Sequence, residues 1–173
     1  MRIAIYAGTF DPFHYGHLDV AQRASKLFDR LIVAVYEYPA KNTLFSAEER
    51  LELVREAVRD LPNVEAELFS GLAVAYAKRK NACVLVRGLR AISDFEFELE
   101  IAHMNRNLDP QLEAIFLMTG LPFAYLHSSI VKEIAQLGGS LDGLVPDHIA
   151  AALRKKNGSA SMAGKPPTSN LVP

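Results

Sequence analysis

The chain has little cysteine: Cys83 is the only one among 173 residues, which excludes an internal disulfide and a cysteine-based zinc site. This cysteine lies in the apolar run 82–86, which predicts a buried structural thiol rather than a nucleophile. Net charge is also low, at -1, and this excludes an electrostatic footprint for nucleic acid or an anionic membrane. Any positive field must therefore come from a few Lys and Arg side chains that converge on one site.

Long hydrophobic runs are missing as well. No apolar stretch approaches the length of a membrane span, and Gly8 interrupts the N-terminal apolar residues too soon for a signal peptide. We therefore expect a cytoplasmic protein with no membrane and no nucleic-acid partner. The composition, 50% hydrophobic and 23% charged, is typical of a globular protein, and the length favours a single domain.

Short apolar runs alternate with segments of helical periodicity along the chain. The runs, rich in β-branched and aromatic residues, are 3–7, 31–36, 64–69, 82–86 and 114–118. Nearly continuous runs of this kind are typical of strands buried on both faces of a parallel sheet. The alternation predicts an α/β fold: a doubly wound, Rossmann-like, five-stranded parallel sheet with helices on both faces.

The helical segments have recognisable ends. Ser46 and Glu49 form a capping-box pattern, and Gly138 suits a left-handed helix end. Pro146 favours the first turn of a last helix that runs to about Lys156. The other predicted helices cover 16–28, 72–80, 94–107 and 129–137. We expect one domain over 1–156 and, because Gly, Ser, Pro and Ala then dominate, a flexible tail over 157–173.

A loop with two histidines follows the first predicted strand. His14 and His17 are three residues apart at the start of a helix, so both rings can lie on one face. The N–H groups of a helix N-terminus favour phosphate, and Gly16 leaves room for a ligand. The histidines could instead be capping or core residues, or metal ligands with Asp11. The coincidence of strand, glycines, Thr9 and helix start favours a nucleotidyltransferase signature that holds a triphosphate.

Arginines mark the end of the fourth predicted strand. Arg87 and Arg90 flank Gly88-Leu89, and a strand end is where open α/β sheets bind ligands. If the strand order is 3-2-1-4-5, this segment faces the histidine loop, and the guanidinium groups offer bidentate donors to phosphate. Two solvated surface arginines are the alternative. Lys41, after the second strand, either reaches the same crevice or is a plain surface lysine.

The loop after the fifth strand, 119–129, ends in Ser128 and Ser129 at a helix start. Hydroxyl residues there are capping residues first and phosphate ligands second, and here we expect both roles.

These segments together resemble the phosphopantetheine adenylyltransferases of the nucleotidylyltransferase superfamily. The resemblance covers about residues 2–156. The Gly16-His17 pair alone indicates only the superfamily, whereas three further segments are more specific. They are Arg87-Gly88-Leu89-Arg90-Ala91, Asp94-Phe95-Glu96 and Ala102-His103-Met104-Asn105. The chain departs from the family pattern at Ala7, where Pro is frequent, at His14, where Thr is common, and at His127, where Ser is frequent.

The resemblance implies adenylyl transfer from ATP to 4′-phosphopantetheine, with catalytic roles for His17, Lys41 and Arg90. It places Thr9, Lys41, Leu72, Ala73 and Arg87 at the phosphopantetheine side. ATP would contact Thr9, Phe10, His14, His17, Gly88, Leu89, Arg90, Glu98, Phe123, Ala124, Tyr125, Leu126, His127, Ser128 and Ser129. By residue pattern alone, Glu98 could equally belong to a solvated helix face. The resemblance also implies Mg²⁺ held by phosphate oxygens with no protein metal ligands, a homohexamer, and coenzyme A as feedback inhibitor.

The reaction so implied explains the lack of Ser–His–Asp or paired-carboxylate machinery. A phosphate nucleophile is already anionic near neutral pH, so catalysis reduces to positioning and charge stabilisation. Two alternatives stay open: a related nucleotidyltransferase that uses CTP or nicotinamide mononucleotide, and a non-catalytic nucleotide sensor of the same fold.

Overall fold

The structure is a computed structural model that describes residues 1–40 and 42–163. In chain order the strands are β1 (Ile3–Gly8), β2 (Arg30–Tyr36), β3 (Val64–Phe69), β4 (Val84–Leu89) and β5 (Glu113–Met118). The helices are α1 (Tyr15–Ser25), α2 (Ala47–Val58), α3 (Ala73–Arg79), α4 (Ile92–Leu108), α5 (Ser128–Gln136) and α6 (Asp147–Ala163), with a 3₁₀ turn over Leu121–Phe123.

The five strands form one parallel sheet in the order β3-β2-β1-β4-β5. This confirms the predicted fold class and the strand order on which the meeting of the two loops depends. β1 and β4 lie side by side, with Tyr6 opposite Val86. Because the chain leaves β1 towards β2 on one side and β4 lies on the other, the carboxyl ends of β1 and β4 form the switch point.

Alternating side chains of the strands pack into two separate hydrophobic cores, one on each face of the sheet. Ala4 and Tyr6 of β1 point to the face covered by α1, α2, α5 and α6. Ile3, Ile5 and Ala7 point to the opposite face, where α3 packs. This period of two places consecutive residues at a strand end on opposite faces of the sheet.

The predicted helix ends are largely confirmed. Ser46 and Glu49 form the capping box of α2, with the Glu49 N–H donating to the Ser46 hydroxyl at 3.2 Å. Gly138 follows α5 with a φ of 74°. None of the described helices is long and apolar enough to cross a lipid bilayer.

The structure differs from two predictions made from the sequence. Cys83 is exposed, so the prediction of a buried thiol is wrong: it precedes β4, whose buried core begins at Val84. The last helix continues to Ala163, past the expected end at Lys156, because nothing in 157–163 stops it as a proline would. The rest of the predicted tail, 164–173, lies outside the described residues, as does Lys41.

Candidate nucleotide-transfer site

A cavity of about 710 Å³ opens at the carboxyl ends of β1 and β4. The histidine loop and the arginine segment both contribute to its wall, as the strand order requires. Of the residues expected at the site it is lined by Thr9, Phe10, His14, His17, Leu72, Ala73, Arg87, Gly88, Arg90, Glu98, His127, Ser128 and Ser129. Loops that are far apart in sequence therefore converge on one space.

The turn after β1 is held in an unusual conformation by Phe10. This residue has a φ of 51°, a left-handed value that is costly for a bulky side chain, and it is 4% exposed. Its ring lies over Gly8, where an added Cβ would come within 2.8 Å of the ring. The ring also meets His17 edge-on, with centroids 5.1 Å apart. The absence of a side chain at Gly8 thus leaves room for the Phe10 ring, and this ring packs against His17.

The two histidines of the loop stack on each other with ring centroids 3.6 Å apart. The backbone N–H of His14 donates to Nδ1 of His17 at 3.2 Å. A neutral His17 must then carry its proton on Nε2, which makes Nε2 a hydrogen-bond donor. Burial lowers the pKa of His14 to about 3, with the positive charge of Arg90 and the His127 ring as lesser causes. His14 is accordingly neutral at physiological pH.

Arg87 reaches the cavity from the end of β4 and is fixed by two partners. It donates from Nε and Nη2 to the two carboxylate oxygens of Glu98, at 2.6 and 2.5 Å. Its Nη1 donates to the carbonyl oxygen of Ala7 at 2.8 Å. A guanidinium held on three atoms still has N–H groups to offer a ligand, now in a fixed direction.

Arg90 is held still more completely. It donates to both carboxylate oxygens of Asp94, at 3.0 and 3.1 Å, and to the carbonyl of Leu126 at 3.1 Å. Its Nη1 lies 2.7 Å from Nδ1 of His127. Because a guanidinium can only donate, a neutral His127 accepts at Nδ1 and keeps its proton on Nε2. These contacts tie the end of β4 to the start of α5.

Two buried charged residues that were not predicted as site residues anchor the surrounding loops. Asp11 is 3% exposed and accepts from the N–H groups of Leu44 and Phe45, each at 3.0 Å, and from Lys132 at 2.6 Å. Arg50 is 1% exposed and donates to the carbonyls of Thr9 and Tyr36, both at 2.7 Å. Nothing in the sequence separates Arg50 from the solvated charges of the α2 pattern. Asp11 was noted only as a metal-ligand alternative.

Some expected site residues do not line the cavity. The cavity lining does not include Leu89, Phe123, Ala124, Tyr125 or Leu126. The Leu126 carbonyl nevertheless accepts a hydrogen bond from Arg90, which does line the cavity. Ser128 lines the cavity, but its hydroxyl already donates to the carbonyl of Pro12 at 2.9 Å. Within the described residues, no group of three His, Cys, Asp or Glu could hold a metal ion.

Comparison with known proteins shows which family this chain belongs to. The Cytidylyltransferase-like family model matches residues 5–134, which include both site loops. A phosphopantetheine adenylyltransferase of Caldanaerobacter subterraneus is 54% identical over 90% of this chain and 98% of its own. That of Thermomicrobium roseum is 56% identical over 88% and 93%, and that of a Nostoc species 53% over 99% and 90%. The chain belongs to the phosphopantetheine adenylyltransferase family.

A solved structure supports the fold independently. A Vibrio parahaemolyticus protein assigned as a nicotinate-nucleotide adenylyltransferase superposes with a TM-score of 0.68, over 89% of this chain and 99% of its own. Its sequence is only 17% identical, so the likeness concerns the fold alone. The resemblance recognised in the sequence is thus confirmed at the level of family and fold. The roles of individual family residues in this chain stay predictions.

Proposed function

We propose that this protein transfers the adenylyl group of ATP to 4′-phosphopantetheine, giving 3′-dephospho-coenzyme A and pyrophosphate, a step of coenzyme A biosynthesis. Family membership supports the reaction, since relatives of that name are 49–56% identical over most of the chain. The observation that carries the proposal is the meeting of His17, Arg87 and Arg90 around one cavity at the switch point.

The chemistry needs charge stabilisation more than proton transfer. A phosphate oxygen of phosphopantetheine attacks the α-phosphorus of ATP, a new P–O bond forms, and the bond to the leaving pyrophosphate breaks. Nε2–H of His17 would donate to the α-phosphate as its negative charge grows, and Arg90 would bind the triphosphate. Both donors are fixed before ATP binds, so little reorganisation is needed during the reaction.

The two faces of the sheet suggest how two anionic substrates are kept apart. Arg87 and Gly88 are consecutive in β4, so their side-chain positions lie on opposite faces. Arg87 lies with Ala7 and Ala73 on the α3 face, as expected for the phosphopantetheine side. Phe10 and the α1 residues lie on the other face, the expected ATP side. Lys41 and Arg87 would orient the incoming phosphate, and the two substrates would meet at the strand ends.

Magnesium fits this site as a companion of ATP rather than as a protein-bound ion. The carboxylates of Asp11 and Glu98 at the cavity are already engaged, by Lys132 and Arg87 respectively. Mg²⁺ prefers six oxygen ligands and usually keeps several waters. Phosphate oxygens, rather than protein side chains, would therefore supply most of its other ligands. When bound, it would neutralise part of the triphosphate charge.

An uncovered apolar surface supports assembly into a homo-oligomer. α4 has no buried residue in the single chain, and Phe95, Phe97 and Met104 are 41%, 63% and 62% exposed. Exposed apolar surface of this extent is typical of subunit interfaces. We propose the hexamer that the resemblance implies, with coenzyme A as an inhibitor at the product site. Light scattering on the purified protein tests the assembly: a monomer mass would contradict it.

A substrate panel tests the reaction itself. Purified protein is incubated with Mg²⁺ and each pairing of ATP or CTP with 4′-phosphopantetheine, nicotinamide mononucleotide or nicotinate mononucleotide, and pyrophosphate is measured. We expect turnover with ATP and 4′-phosphopantetheine and formation of dephospho-coenzyme A. Turnover with another pairing would move the protein to a different substrate, and ATP binding without any turnover would favour the sensor alternative.

A further inference from the structure

Tyr6 lies on the floor of the cavity and has no part in the mechanism described above. It is 5% exposed, yet it lines the cavity. Its ring packs edge-on against Phe10, with centroids 5.3 Å apart, and lies 6.5 Å from the ring of His17. The side chain therefore sits between the histidine loop and the neighbouring strand β4.

The hydroxyl of Tyr6 is placed against Gly88. A Cβ added to Gly88 would lie 3.5 Å from the hydroxyl oxygen, an ordinary contact distance, so this oxygen lies beside the backbone of β4 where the strand borders the cavity. No residue in 1–40 or 42–163 forms a hydrogen bond with this hydroxyl. Because Tyr6 lines the cavity, its hydroxyl can pair with water in the free protein and with a ligand once the cavity is filled. The arrangement leaves a hydrogen-bond donor at the wall of the cavity.

The surroundings keep this hydroxyl in its donor form. Burial raises the pKa of Tyr6 well above its ordinary value, and the positive charges of Arg87 and Arg90 oppose that shift only in part. The phenol is consequently protonated throughout the neutral range. It offers a hydrogen bond without carrying a charge that would repel phosphate.

We infer that the Tyr6 hydroxyl donates a hydrogen bond to bound ATP. The assignment to ATP follows from the sheet: Tyr6 points to the face that α1 covers, together with Phe10. Ala73, expected on the phosphopantetheine side, packs with the core of the opposite face. The inference rests on the proposed function only in taking ATP as the nucleotide, and does not require that transfer occurs.

The test compares Tyr6→Phe with a matched control, Tyr76→Phe. Tyr76 is also buried, at 3% exposure, but its hydroxyl donates to Glu67 at 2.8 Å and it does not line the cavity. Calorimetric titrations with ATP alone and with 4′-phosphopantetheine alone separate the substrates, and thermal melting of the ligand-free protein reports folding. Neither measurement depends on turnover.

For Tyr6→Phe we expect the Kd for ATP to rise about three- to tenfold, the range of one hydrogen bond, with the melting temperature and the Kd for 4′-phosphopantetheine unchanged. Tyr76→Phe should show the reverse, a lower melting temperature and an unchanged Kd for ATP. An unchanged Kd for ATP in Tyr6→Phe, or a shift confined to 4′-phosphopantetheine, would overturn the inference. Wild-type protein that binds ATP without turnover would remove the proposed function alone; wild-type protein that does not bind ATP would remove both.

Discussion

Arg87 and Glu98 form a bidentate ion pair across the cavity wall, with the carboxylate 13% and the guanidinium 28% exposed. The family resemblance implied different substrates for these two residues, ATP for Glu98 and phosphopantetheine for Arg87. Because Glu98 fixes the direction of the Arg87 guanidinium, we predict that Glu98 acts on the phosphopantetheine side, through Arg87. On this prediction, a residue expected to bind ATP would instead influence the affinity for phosphopantetheine.

The first prediction concerns Glu98→Gln, which keeps the shape of the side chain and removes its charge. Arg87 would lose its anionic partner and part of its fixed direction. We expect KM for 4′-phosphopantetheine to rise about tenfold, in line with about 1.4 kcal/mol for a charge-assisted contact, and KM for ATP to change less than twofold. Steady-state kinetics with each substrate varied in turn measures both. A larger effect on ATP would assign Glu98 to the nucleotide instead.

The turn at Phe10 gives a second prediction. In Gly8→Ala the added methyl would meet the Phe10 ring at 2.8 Å, and a ring that is 4% exposed has little room to move. We expect a loss of about 1–3 kcal/mol in the free energy of unfolding, the usual range for overpacking, together with weaker ATP binding. Urea denaturation measures the first quantity.

Gly158→Ala is the control for that experiment. An added Cβ at Gly158, in α6, meets nothing within 4 Å, so helix propensity alone should act and raise stability by up to about 1 kcal/mol. Equal effects of the two substitutions would contradict the packing of Gly8 against Phe10.

His14 predicts a pH dependence of stability. Its pKa is about 3 in the folded protein and about 6.5 when unfolded, so the unfolded chain binds the extra proton between these values. The contribution is complete above about pH 6.5 and is lost as the pH falls towards 3. Between pH 7 and pH 5, wild type should lose about 2 kcal/mol more than His14→Thr in urea denaturation. Parallel losses in the two proteins would mean that His14 is not buried in its neutral form.

The contact between Arg90 and His127 gives a prediction with a built-in rescue. In His127→Ala the acceptor for Nη1 of Arg90 disappears, and KM for ATP should rise about three- to fivefold, as for one lost hydrogen bond. His127→Asn places an amide oxygen close to the position of Nδ1 and should restore most of the affinity. If His127→Asn did not restore the affinity, His127 would act through Nε2 rather than through the contact of Nδ1 with Arg90.

Features with a fixed spacing along the chain could be predicted. The strand runs, the capping box at Ser46 and the left-handed glycine at Gly138 each follow from local pattern, and the structure confirms them. The meeting of the histidine and arginine segments followed once a strand order was assumed. Order and register depend on contacts between distant segments, which no local pattern specifies.

Features that depend on which way a side chain turns could not be predicted. Arg50 follows acidic residues on an amphipathic helix and resembles a surface charge, yet it reaches four backbone carbonyls in the interior. Cys83 belongs to an apolar run but precedes the buried part of its strand. The pairing of Arg87 with Glu98 joins a strand end to the second turn of α4, and depends on the angle at which that helix packs.

The most direct test of the account is a single-turnover measurement on wild type and two His17 variants, with ATP, Mg²⁺ and 4′-phosphopantetheine, following dephospho-coenzyme A and pyrophosphate together. His17→Ala, which removes Nε2–H, should lose about 2.7–4 kcal/mol of transition-state stabilisation, a rate loss of about 10²- to 10³-fold. His17→Gln, whose amide nitrogen lies near the position of Nε2, should retain part of the rate. Folded His17→Ala protein that forms both products at the wild-type rate would contradict the central role of His17 in adenylyl transfer.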